Sequence, residues 1–122
     1  MAYGYNSEIP VSKQFMNRLI LDIASGVYPP GSHFPSVRAL AFEHSLNPNT
    51  VQKVMVLLEQ RGLLITEGTS GRLVTTDYQV IEDARQELHS EYMRKMLDGA
   101  RELGIHPNEL IDFINKESED KQ

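Results

Sequence analysis

The 122-residue sequence contains no cysteine, which excludes disulfides, thiolate zinc sites and a cysteine nucleophile. Long apolar runs are also missing. Stretches such as Val54-Met55-Val56-Leu57-Leu58 fall far short of the roughly 20 residues needed to cross a bilayer. The start, Met1-Ala2-Tyr3-Gly4-Tyr5-Asn6, has neither a basic flank nor an apolar core, so no secretory signal is expected there. A cytoplasmic protein without a membrane partner is the default expectation. His33, His44, His89 and His106 are scattered with no i, i+4 pair, which gives a metal ion no local basis. Gly68-Thr69-Ser70-Gly71 lacks the following lysine and the strand-to-helix context of a phosphate-cradling loop. The carboxylates between Glu82 and Glu91 read as a solvated helix face. No cofactor is expected, and catalysis is disfavoured.

What is present suffices for one compact domain, or one small domain with a short appendage. The net charge of −5 argues at first against a polyanionic partner. Its distribution weakens that objection. Residues 1–76 carry six Lys/Arg (Lys13, Arg18, Arg38, Lys53, Arg61, Arg72) against five Asp/Glu, whereas residues 77–122 carry six against twelve. Salt screens fields beyond about 8–10 Å, so a locally basic patch matters more than the total. The first half permits DNA binding without demanding it.

Residues 1–10 have no period and read as a loose arm. From Ser12 the spacing of Phe15, Leu19 and Ile23, with Met16 and Ile20 beside them, predicts a helix ended by Gly26. Tyr28-Pro29-Pro30-Gly31 is a rigid turn. Ser36 then caps a two-turn helix with Val37, Leu40 and Ala41 inward. Asn47-Pro48 opens a third helix, whose buried stripe is Val51, Val54, Met55 and Leu58 and whose end is Gly62. Leu63–Thr66 and Leu73–Thr76 suit strands, and Gly68–Gly71 suits the hairpin turn between them. The predicted fold is mostly α with a small β-hairpin. It is a winged helix-turn-helix over residues 1–76, followed by a two-helix dimerisation region over residues 77–122. In that region Thr76 or Asp77 caps one helix ended by Gly104, Pro107 opens a shorter one, and the acidic tail from Glu117 frays.

In a helix-turn-helix, the second helix of the motif enters the major groove N-terminus first. With the buried stripe fixed, Asn49, Gln52, Lys53 and Val56 turn outward and Thr50 flanks them. Asn and Gln pair bidentately with adenine, Lys reaches guanine or phosphate, and Thr suits phosphate or a thymine methyl. Polar residues face outward on any surface helix, so this face alone is not decisive. Arg38 stands where positive charge does not suit the helix dipole, and an external anion or a guanine accounts for it better than solvent does. The hairpin glycines allow close approach to a sugar-phosphate backbone, and Arg72 would add charge at the minor groove.

Over residues 9–76 the sequence resembles the GntR family of bacterial regulators. The runs Pro35-Ser36-Val37-Arg38-Ala39-Leu40-Ala41 and Asn47-Pro48-Asn49-Thr50-Val51-Gln52-Lys53 match the family signature at the correct separation. The two short helices that follow resemble the C-terminal region of the YtrA-type subgroup. The resemblance implies double-stranded DNA as partner, with Arg38, Asn49, Thr50, Gln52, Lys53 and the wing glycine Gly71 at the interface; Asn47, at the head of the third helix, and Arg72, beside the wing, are expected there with them. It also implies repression of nearby genes by a homodimer bound to a palindromic operator. The wing departs from the family's Gly-x-Gly-Thr-Phe-Val: Thr69-Ser70-Gly71-Arg72-Leu73-Val74 lacks the first glycine and the aromatic. A small-molecule effector of unknown identity has little room in the C-terminal region unless its cavity forms between subunits.

Ile81, Leu88, Tyr92, Met93, Met96, Leu97, Ile111 and Ile114 form a stripe too apolar for so short a segment. At about 25 cal/mol per Å² of apolar surface, leaving it in water forgoes several kcal/mol. A symmetric dimer would cover it, and folding back on the winged domain is the competing solution. A rival function is a winged-helix protein-interaction adaptor that has lost DNA binding. The weak basic charge and altered wing favour it, and the polar face of the third helix opposes it.

Overall fold

The computed structural model describes residues 10–69 and 71–120. In chain order its elements are α1 (Val11–Ala24), α2 (Val37–His44), α3 (Pro48–Gln60), β1 (Leu64–Thr66), β2 (Arg72–Val74), α4 (Tyr78–Glu102) and α5 (Pro107–Asp120). This is the mostly helical fold with a small hairpin that the sequence predicts. The loose arm read over residues 1–10 lies outside the described residues except for Pro10.

The starts of α2, α3 and α4 each have a local cause. The Ser36 hydroxyl accepts from Ala39 N–H at 3.0 Å, and the Asn47 side chain accepts from Asn49 N–H at 2.8 Å ahead of Pro48. Before α4, the Asp77 carboxylate accepts from Gln79 N–H at 3.0 Å. The turn between α2 and α3 is made by Ser45, the one non-glycine residue with positive φ (55°) among the described residues. Leu46 N–H then closes back on the Ala41 carbonyl at 2.9 Å.

The core of the first unit gathers Phe15, Leu19, Ile20 and Ile23 from α1, Leu40 from α2, and Val51, Val54, Met55 and Leu58 from α3, all at most 2% exposed. Each such side chain contributes roughly 1.5–3 kcal/mol by leaving water. β1 and β2 pair antiparallel with Leu64 opposite Val74, Ile65 opposite Leu73 and Thr66 opposite Arg72. The strands expected from the sequence lie slightly off these bounds, and a third extended segment was not expected. Ser32 to Phe34 lies along the other edge of β2: Val74 N–H donates to the Ser32 carbonyl at 2.9 Å and Phe34 N–H to the Arg72 carbonyl at 2.8 Å. The hairpin is thereby tied to the α1–α2 connection as well as to the end of α3.

The chain divides into two compact units inside α4, between Gln86 and Glu87. The first unit carries the start of α4 beyond residue 76, because Ile81 and Ala84 are buried there. In the second unit, Gly104 (φ +71°) turns the chain and the His106 ring accepts from Asn108 N–H at 3.1 Å at the entry to α5. The acidic tail expected to fray is helical as far as Asp120. No breaker interrupts α5, and Glu and Lys are good helix formers, so the ladder continues.

Candidate nucleic-acid interface

The capped start of α3 fixes which side chains leave the surface. Val51, Val54, Met55 and Leu58 are fully buried, so the 100° step of the helix sends Asn49, Gln52 and Lys53 into solvent and leaves Thr50 half-buried beside them. Val56 continues this face one turn on, at 38% exposure. Asn47 is exposed, and its amide oxygen is committed to the cap, so its NH₂ group is what it can offer outward.

Arg38 lies in the first turn of α2 and is exposed. It lines an open cleft of about 580 Å³ with Val37, Ala41, Phe42, Leu46 and Pro48. The cleft brings Arg38 beside the first residue of α3, so two capped helix N-termini flank one concavity. Backbone N–H groups and the dipoles of both helices favour an anion there. Phe42, one helical turn beyond Arg38, is 89% exposed. Sequence periodicity gave no reason to single it out.

The wing differs from expectation in one respect. Gly71 has φ +91° and open space where a side chain would stand, as a close approach to a backbone requires. Arg72, expected to add charge at the groove, is instead partly buried and donates from Nε to the Glu59 carboxylate at the end of α3. That hydrogen bond is the main reason Glu59 is held below the usual carboxylate pKa, and Thr66 adds a smaller effect in the same direction. The pair spans thirteen residues of sequence and carries no periodic signal.

In the second unit, Tyr92, Met93, Met96, Ile111 and Ile114 are 43–58% exposed and Leu97 is half-buried. Ile81 and Leu88, read from sequence as part of the same self-association stripe, are at most 9% exposed within one chain. They have little apolar surface left for a second copy. Leu103 and Phe113, absent from that reading, are 79% and 62% exposed. Among the described residues no three His, Asp or Glu side chains cluster as metal ligands, and no helix is long and apolar enough to cross a membrane.

Comparison with known proteins places this geometry. The family model described as "Bacterial regulatory proteins, gntR family" matches residues 12–74. The repressor YtrA of Bacillus subtilis is 26% identical over 93% of this chain and 88% of its own length. A GntR family transcriptional regulator from Listeria monocytogenes superimposes with a TM-score of 0.81 at 26% identity, covering 92% of this chain and 98% of that one. The DNA-binding domain of AraR, solved in complex with operator DNA, matches with a TM-score of 0.53 at 23% identity over 62% of this chain and 93% of its own.

Proposed function

Because this chain belongs to the GntR family and is a DNA-binding transcription regulator, we propose that it is a cytoplasmic repressor that binds a palindromic operator as a homodimer. α3 enters the major groove, where Asn49, Gln52 and Lys53 read base edges and Thr50 and Asn47 meet the backbone at its entrance. Arg38 holds a phosphate or a guanine across the cleft from Pro48, and the wing reaches the adjacent minor groove through Gly71. Arg72 serves the wing through Glu59 rather than as a free charge.

The single observation that carries this reading is the division of α3. Four fully buried apolar residues alternate with exposed Asn49, Gln52 and Lys53, and Arg38 lines a cleft with Pro48 at the start of the same helix. Two copies supply the second half-site that specificity across a genome requires. The dimer forms through Tyr92, Met93, Met96, Leu97, Ile111 and Ile114. The support is α5, which buries none of its residues in a single chain, although a helix of this length is marginal in water without a partner.

The test is selection of duplexes from a random-sequence library, followed by anisotropy titration of the best duplex against salt. A regulator of this design selects an inverted repeat and loses affinity steeply as salt rises. Failure to enrich any sequence would leave the adaptor reading, which the exposed Phe42 favours.

A further inference from the structure

We propose that Glu59 is a positioning residue for DNA binding: its carboxylate holds Arg72, at the outermost strand pair of the hairpin, and so fixes the wing tip relative to the reading face of α3. The inference rests on the DNA-binding function above, but Glu59 itself faces no DNA.

Three observations converge on it. Glu59 is the penultimate residue of α3, where a negative charge opposes the helix dipole. A residue placed there against the local electrostatics needs another partner, and Arg72 provides one through its Nε–H. Thr66, the residue directly across the ladder from Arg72, helps hold Glu59 below the usual carboxylate pKa. One side chain from the recognition helix therefore holds the last strand pair through its Arg72 member.

Beyond that pair, among the described residues, one backbone bond spans the hairpin, Glu67 N–H to the Gly71 carbonyl at 3.0 Å. Gly68 and Gly71 have positive φ, and a Cβ added at either would meet open space. A hairpin of three residue pairs is marginal by itself. Ser32–Phe34 anchors the backbone of β2 from Val74 out to Arg72, and Glu59 anchors the Arg72 side chain to α3. The departure from the family wing pattern acquires a purpose here. The arginine that replaces the expected threonine after Gly71 is the donor of the clasp. Holding the tip in its bound position in advance removes an ordering cost from association.

The experiment compares the full-length protein with Glu59→Ala, Glu59→Gln and the charge-exchanged double variant Glu59→Arg/Arg72→Glu. Amide hydrogen exchange of the free protein and affinity for the best duplex from the random library are the two readouts. Glu59→Ala is expected to speed exchange at Glu67 while the amides of α1 stay protected, and to weaken binding about tenfold. It should erase the hydroxyl-radical protection flanking the half-site and leave the preferred bases at the α3-read positions unchanged. Glu59→Gln, which keeps an acceptor oxygen, and the exchanged pair should each recover part of both losses. Unaltered exchange in Glu59→Ala overturns the clasp. Faster exchange with unaltered affinity and footprint overturns its positioning role. If no duplex is enriched by the wild-type protein, the functional reading fails, and with it the positioning role, while hydrogen exchange still decides the clasp.

Discussion

The imidazole of His44 meets the ring of Phe15 edge-on, with centroids 4.9 Å apart and planes inclined by 70°. It is 1% exposed at the end of α2, in the core of the helix-turn-helix. Burial holds its pKa below the ordinary 6.5, outweighing the pull of Glu43 and Asp22, while Arg18 pushes the same way as burial. The unfolded chain thus binds this proton more readily than the folded one. Stability is complete above pH 6.5 and declines as pH falls toward the folded pKa. Chemical denaturation at a series of pH values should show that decline, and His44→Leu should flatten it. An equal slope in the variant would assign the effect to other groups.

Arg38→Ala is expected to cost about 1–3 kcal/mol of binding to the selected duplex and to leave the melting temperature unchanged. Arg38 is exposed, so its removal disturbs no packing. Anisotropy and a thermal melt on the same preparation separate the two effects. Unaltered affinity would remove Arg38 from the interface.

Ser45 occupies the left-handed region at φ 55°, where a side chain costs roughly 1–2 kcal/mol and glycine almost nothing. Ser45→Gly should therefore stabilise the protein by about 0.5–1 kcal/mol after allowing for glycine's greater freedom when unfolded. The readout is the midpoint of urea unfolding. A lower midpoint would mean that Ser45 is held by more than its backbone.

Met96→Glu and Ile114→Glu, each on the exposed apolar face of the second unit, should convert the proposed dimer into a monomer. A desolvated, unpaired carboxylate costs several kcal/mol at an interface. Light scattering at micromolar concentration reports the change, and affinity for a palindromic duplex should fall with it. A wild-type monomer under those conditions would refute the dimer.

The elements legible in the sequence are those specified by neighbouring residues. Ser36, Asn47-Pro48 and Pro107 open helices where capping chemistry says they should, and Gly26, Gly62 and Gly104 take the positive φ that ends them. The outward set on α3 followed from a stripe of four apolar residues. Features that depend on distant partners were not legible. Ser32–Phe34 joins β2 through backbone groups alone, with no period of its own, and the Glu59–Arg72 pair requires the fold before its members can meet. Ile81 and Leu88 share the spacing of the exposed residues after them, so periodicity could not show that one chain already covers both.

An α5 with no fully buried residue among its fourteen would, in the proposed dimer, link the behaviour of this regulator to how much of it a cell makes. With a second copy as its cover, the form able to grip both half-sites grows as the square of chain concentration while most chains are single. Operator occupancy would then rise over a narrower range of expression than a monomer allows, and a modest change in synthesis would act as a threshold.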